Sequence, residues 1–121
     1  MQFILIPMNE NALEISVPQQ SAFLIEAGEL MNVDYLVLIA ERKPTYVGFV
    51  GFNSERLHDA FDEICCDFGI MPLTTWYSET DLDTAFEEFV IMDAPLNSCS
   101  GSAYIVERTS GWFPRRLLTC N

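Results

Sequence analysis

The segment from Ser54 to Gly69 constrains the fold more than any other stretch of this chain. Leu57, Ala60, Phe61, Ile64, Cys65 and Phe68 recur at steps of three and four, which places them on one stripe of an α-helix. Ser54 stands where a side-chain oxygen can accept a backbone N–H left over at the helix start. Gly69 stands where a left-handed C-cap residue belongs. A helix with a single apolar stripe has to bury it against a second layer, so at least one sheet or helix must pack on this face.

A second helix is predicted from Leu82, Ala85, Phe86, Phe89 and Val90, capped by Ser78 or Thr80. Each candidate cap has an Asp three residues on, a variant of the capping box. Pro95 is expected to stop this helix, because it has no N–H to give to the preceding turn.

Strands are predicted at Gln2 to Pro7, at the alternating Leu13 to Val17, and at the nearly continuous apolar runs Tyr35 to Ala40 and Tyr46 to Phe52. Glu41 to Thr45, polar and containing Pro44, reads as the turn of a hairpin joining the last two. Pro18 to Met31 reads as a helix that Gly28 weakens by about 1 kcal/mol relative to Ala. Leu73 to Tyr77 has a β-rich composition. Ala103 to Val106 and Arg115 to Thr119 read as final strands, with Thr109 to Pro114 as a hairpin turn between them. The expected architecture is an α+β single-domain sandwich over residues 1–121. It has a mixed or antiparallel sheet of about five to seven strands, with two to three helices mainly on one face.

The charge distribution speaks to function. Between Asn53 and Asp93 lie eleven carboxylates and one cation, Arg56, which is net −10 of the chain's −12. On the first predicted helix Glu55, Asp59, Glu63 and Asp67 stand four apart, with Asp62 beside them. On the second, Glu79, Asp83 and Glu87 do the same. Like charges at i, i+4 oppose helix formation by about 0.2–0.5 kcal/mol per pair, so the two ridges together cost roughly 1–2.5 kcal/mol. Glu55, Glu79, Asp81 and Asp83 recover part of this near helix N-termini. A solvated face kept acidic for solubility would show the same pattern. The sharper expectation is a surface for a basic protein, because rows of carboxylates imitate rows of phosphates.

Half of the residues are apolar, so the chain is expected to fold rather than serve as a disordered acidic tail. A surface this negative disfavours direct nucleic-acid binding and anionic membranes. Gln2 to Pro7 is too short for a signal peptide and no Lys or Arg precedes it. Cys65, Cys66, Cys99 and Cys120 lack a C-x-x-C and read as reduced thiols, which points to a cytoplasmic protein.

No pattern for a cofactor or metal is recognised, and no catalytic residue is assigned. One His and four scattered Cys lack zinc-ligand spacing. His58 and Cys99 would have to meet to form a nucleophile–base pair, and an alternative reading is a small enzyme using Cys99 or His58. Trp112, at the tip of the predicted Thr109–Pro114 turn, is a further candidate contact, since Trp and Arg are enriched at interface hot spots. The leading expectation is therefore a small acidic inhibitory protein. It would neutralise a basic partner that acts on nucleic acid, as an immunity protein does against a nuclease-type toxin. A phage-encoded anti-CRISPR or anti-restriction inhibitor that mimics nucleic acid has the same physics. Exposed strand edges are compatible with a homodimer.

Overall fold

The computed structural model describes residues 1–9, 13, 17–28 and 33–118. Among the described residues five strands form one sheet in the order β1-β5-β2-β3-β4. They are β1 (Gln2–Pro7), β2 (Ala22–Glu26), β3 (Tyr46–Val50), β4 (Leu73–Tyr77) and β5 (Ser102–Glu107). Every pairing is parallel. The expected mixed or antiparallel sheet is thereby overturned.

The cause lies in two apolar segments whose roles are exchanged. Tyr35 to Ala40, expected as a strand, belongs to helix α1 (Val33–Glu41). Ala22 to Glu26, expected inside a helix, is the central strand β2, with its first four residues buried. A short apolar run reads alike as buried strand or buried helix, so periodicity could not separate them. Tyr35, Leu36, Ile39 and Ala40 are the buried side of α1, at the i, i+1, i+4, i+5 spacing of a helix. With a helix in place of a strand, the expected hairpin becomes a crossover, and crossovers join parallel strands.

Helices cover both faces of the sheet, correcting the expectation of one. The face showing Phe23, Ile25, Val47, Phe49, Tyr104 and Val106 packs on α1 and on α2 (Ser54–Phe68), with Leu57 and Phe61 at the contact. The alternate residues Ala22, Leu24, Tyr46, Val50, Ala103 and Ile105 pack on α3 (Leu82–Glu88) and on the segment from Phe89 to Ala94, through Phe86 and Phe89. Strand residues alternate between faces, so each central strand contributes to two cores at once.

Helix α2 is present over the residues expected, and Gly69 closes it in the left-handed conformation at φ 68°. The Gly69 N–H donates to Cys66 O and the Ile70 N–H to Cys65 O at 3.0 Å. Nothing approaches a Cβ built at Gly69, so Gly69→Ala should cost only the left-handed penalty, about 1 kcal/mol. Chemical denaturation would read it. Ser54 is not the cap: Asn53 occupies that position and no side chain caps the helix. Ser78 likewise bonds Thr80 and Asp81 side chains rather than a helix amide.

Pro95 does not end the second helix. The chain passes through a π-turn, Phe89–Asp93, in which the Ala94 N–H donates to Phe89 O, and continues as α4 (Ala94–Asn97). The wider turn lets Pro95 sit near a new helix start, where its missing N–H is not needed. Arg115–Leu118 is a 3₁₀ turn rather than a strand, and Thr109 to Pro114 leads into it rather than closing a hairpin. Of the expected strand Leu13 to Val17, residues 14–16 lie outside the described residues, and Leu13 is helical and buried.

Candidate functional site

All seven ridge carboxylates are exposed: Glu55, Asp59, Glu63 and Asp67 on α2, and Glu79, Asp83 and Glu87 at the start of and along α3. Among the described residues no Lys or Arg forms an ion pair with any of them. The ridges do not form one surface. Because α2 and α3 pack on opposite faces of the sheet, their solvent sides point away from each other.

The acids that converge are different ones, and they converge on the edge strand β4. Asp62 turns from the α2 ridge toward the sheet. The Thr74 hydroxyl donates to Asp62 Oδ1 at 2.9 Å, and His58 Nε2 lies 3.0 Å from the same hydroxyl and 3.6 Å from Asp62 Oδ2. His58 Nδ1 is 3.1 Å from Asp59 Oδ1. From the other face, the Tyr77 hydroxyl donates to Glu88 and the Tyr46 hydroxyl donates to Asp93 Oδ2 at 3.0 Å. Burial raises the Asp93 carboxyl above its ordinary range and the nearby Glu88 adds to this, while the Tyr46 hydroxyl opposes it. Glu88 and Asp93 were not among the expected contact residues. They sit off the i, i+4 ridge, and only the π-turn brings Asp93 under Tyr46.

His58 lies on α2, and its side chain retains 17% exposure. It lies against Thr74 and between two carboxylates. Cys99 does not reach it. The Cys99 N–H donates to Gln20 O at 2.9 Å, beside β2, and β3 separates β2 from β4. Two strand spacings are about 10 Å, so these residues do not form a nucleophile–base pair. Cys66 is exposed, and Cys65 is buried, its thiol pushed up to about 11 by burial, then by Asp62 and Cys66. Among the described residues no group of three or more His, Cys, Asp or Glu could hold a metal ion.

Trp112 is not at a hairpin tip. Its ring meets Phe86 edge-on at 4.8 Å, half-buried at one end of the α3 core, and Phe113 beside it is fully buried. Glu107, at the end of β5, accepts from the Phe113 N–H at 2.7 Å and from Arg115 through both guanidinium nitrogens at 2.6 and 2.8 Å. This contact fixes the C-terminal segment. No spacing rule exposes it, because residues 107 and 115 belong to no common helix or strand pair.

Among the described residues no helix is long and apolar enough to cross a membrane. Comparison with known protein families, with curated proteins and with solved structures gave no match.

Proposed function

We propose that this chain is a small inhibitory binding protein of the cytoplasm, and that the outer side of α2 is its contact surface for a basic protein. One observation carries the reading: Glu55, Asp59, Glu63 and Asp67 are all exposed on one 15-residue helix, with no Lys or Arg paired to them among the described residues. Three successive i, i+4 repulsions are only partly offset in the free protein, by the helix N-terminus at Glu55 and by His58 beside Asp59, and a basic surface would relieve the rest.

A single flat partner meets one ridge, since the two lie on opposite faces. The α2 ridge is the longer, and Asp62 is held beside it by Thr74. A protein with a positive groove for nucleic acid is the complementary partner. An immunity protein against a nuclease-type toxin fits that description, and a phage-encoded inhibitor of a nucleic-acid-acting defence enzyme fits it as a second setting. A toxin gene next to this one would select the first, and phage structural genes the second.

The test uses two double variants, Asp59→Gln with Glu63→Gln and Asp83→Gln with Glu87→Gln. Partners are captured from the native host at low salt, and the affinity of a purified basic partner is then measured across a salt series. The α2 variant should weaken binding roughly ten-fold and flatten the salt dependence, while the α3 variant leaves both near wild type. An α2 variant with unchanged affinity and unchanged salt slope would sink the proposal.

A further inference from the structure

The strand order reverses between β2 and β5. From β2 the chain builds outward through β3 to β4, then returns to place β5 on the other flank of β2. In open parallel sheets the connections leaving such a pair diverge and open a crevice at the carboxyl ends of the strands. Here that crevice measures about 400 Å³, within the size range of small-molecule sites.

The crevice has a bare floor. Gly28 follows β2, and a Cβ there would come within 2.8 Å of Arg108 Cδ and closer still to the guanidinium. Gly51 follows β3 with φ at +135°, and a Cβ there would stand 2.5 Å from Ala27 O. Both strand ends therefore present backbone rather than side chain, and the Arg108 guanidinium lies across Gly28.

The loop that carries Arg108 is tied to the end of β2. The Glu26 carboxylate accepts from the Arg108 N–H at 2.8 Å, the Thr109 N–H at 2.8 Å and the Thr109 hydroxyl at 2.9 Å. Glu26 is thus engaged with backbone and hydroxyl rather than with the guanidinium. Among the described residues the Arg108 guanidinium has no ion pair with a carboxylate, in a chain with eighteen acids and six Lys or Arg.

Two aromatic rings complete the lining. Trp112 stands perpendicular to Phe86, and Phe52, just before α2, is 66% exposed. Among the described residues no side chain caps the N-terminus of α2, and Asn53 donates its side-chain amide to Gly28 O at 3.2 Å. This helix start adds partial positive charge near the crevice. Glu79 also lines the crevice, which disfavours the added charge of a di- or triphosphate.

We propose that this crevice binds a small ligand made of a planar ring and one anionic group, the chemistry of a nucleoside monophosphate, with the anion on Arg108 and the ring against Trp112 and Phe52. This is independent of the acidic surface on α2.

The experiment is an amide-resolved NMR titration of the full chain with AMP, with adenosine and inorganic phosphate as separate probes. AMP should shift the amides of Gly28, Gly51, Phe52 and Arg108 and the Trp112 indole N–H, with sub-millimolar affinity. Adenosine and phosphate should each bind at least ten-fold more weakly. Arg108→Gln, folded by its spectrum, should lower AMP affinity ten-fold or more. Adenosine binding as tightly as AMP would overturn the role of the anion, and phosphate binding as tightly would overturn that of the ring. No localised shift at several millimolar AMP, or equal affinity in Arg108→Gln, would overturn the site itself.

Discussion

Phe89→Ala is expected to destabilise the protein by about 3–5 kcal/mol, the cost of removing a large ring from a closed core. Phe89 is fully buried. Its ring meets Phe3 of β1 edge-on at 6.1 Å and Tyr46 of β3 at 6.0 Å. Two other strands lie between those two, so one side chain ties the helical layer to both flanks of the sheet. It also opens the π-turn, which fixes its backbone and limits collapse around a cavity. For a domain with an ordinary stability of about 5–15 kcal/mol, this is a fifth or more of the total. Urea denaturation should show a lower midpoint with an unchanged slope. A loss below about 1 kcal/mol would mean that the two rings do not close on Phe89.

Glu107→Ala is expected to cost about 2–3 kcal/mol at neutral pH. Removing one partner of a buried ion pair generally costs more, but Arg115 is half-exposed and keeps part of its hydration. What is lost besides is the acceptor for the Phe113 N–H, a buried donor. The effect depends on pH with a definite sign. Burial pushes the Glu107 carboxyl up, but hydrogen bonds from Arg115 and from the Phe113 amide outweigh it, and the folded carboxyl ends below its ordinary range. A carboxyl lowered by folding stabilises the protein fully above its unfolded value, and loses that contribution as pH falls through the folded one. The gap between wild type and Glu107→Ala should therefore be full above about pH 4.5 and narrow in more acid solution. Denaturation curves at pH 7 and at pH 3 would measure it. An equal gap at both would show that the charge of Glu107 contributes nothing.

Much of the fold was legible where one signal stood alone. The stripe from Leu57 to Cys65 and the glycine at 69 located α2, and the apolar run at Tyr46 to Val50 located β3. The strands at Gln2–Pro7 and Leu73–Tyr77 were also legible. Sequence pattern and structure part where a residue type serves two structures. Ala22 to Glu26 and Tyr35 to Ala40 are both short and apolar, and burial on two sides erases the alternation that distinguishes a strand. Gly28 was the available hint, since a helix through it was already disfavoured. Pro95 misled because a π-turn changes which amides a helix needs. Of the contact candidates, the seven ridge carboxylates are exposed as their spacing implied. Glu26, Arg108, Glu88 and Asp93 carried no signal, because their contacts join residues that no helix or strand-pair spacing links.

The sequence by itself determined that α2 exists, that its outer side is a ridge of carboxylates, and that the chain holds enough apolar residues to bury the opposite side. These depend on local periodicity and charge, which need no partner. Only the tertiary structure decided the direction of the strands, the separation of the two ridges onto opposite faces, and the opening of a crevice between β2 and β5. Direction depends on whether the segment between two strands is a turn or a helix. That choice is made by packing on both sides of the sheet, not by the segment's own composition.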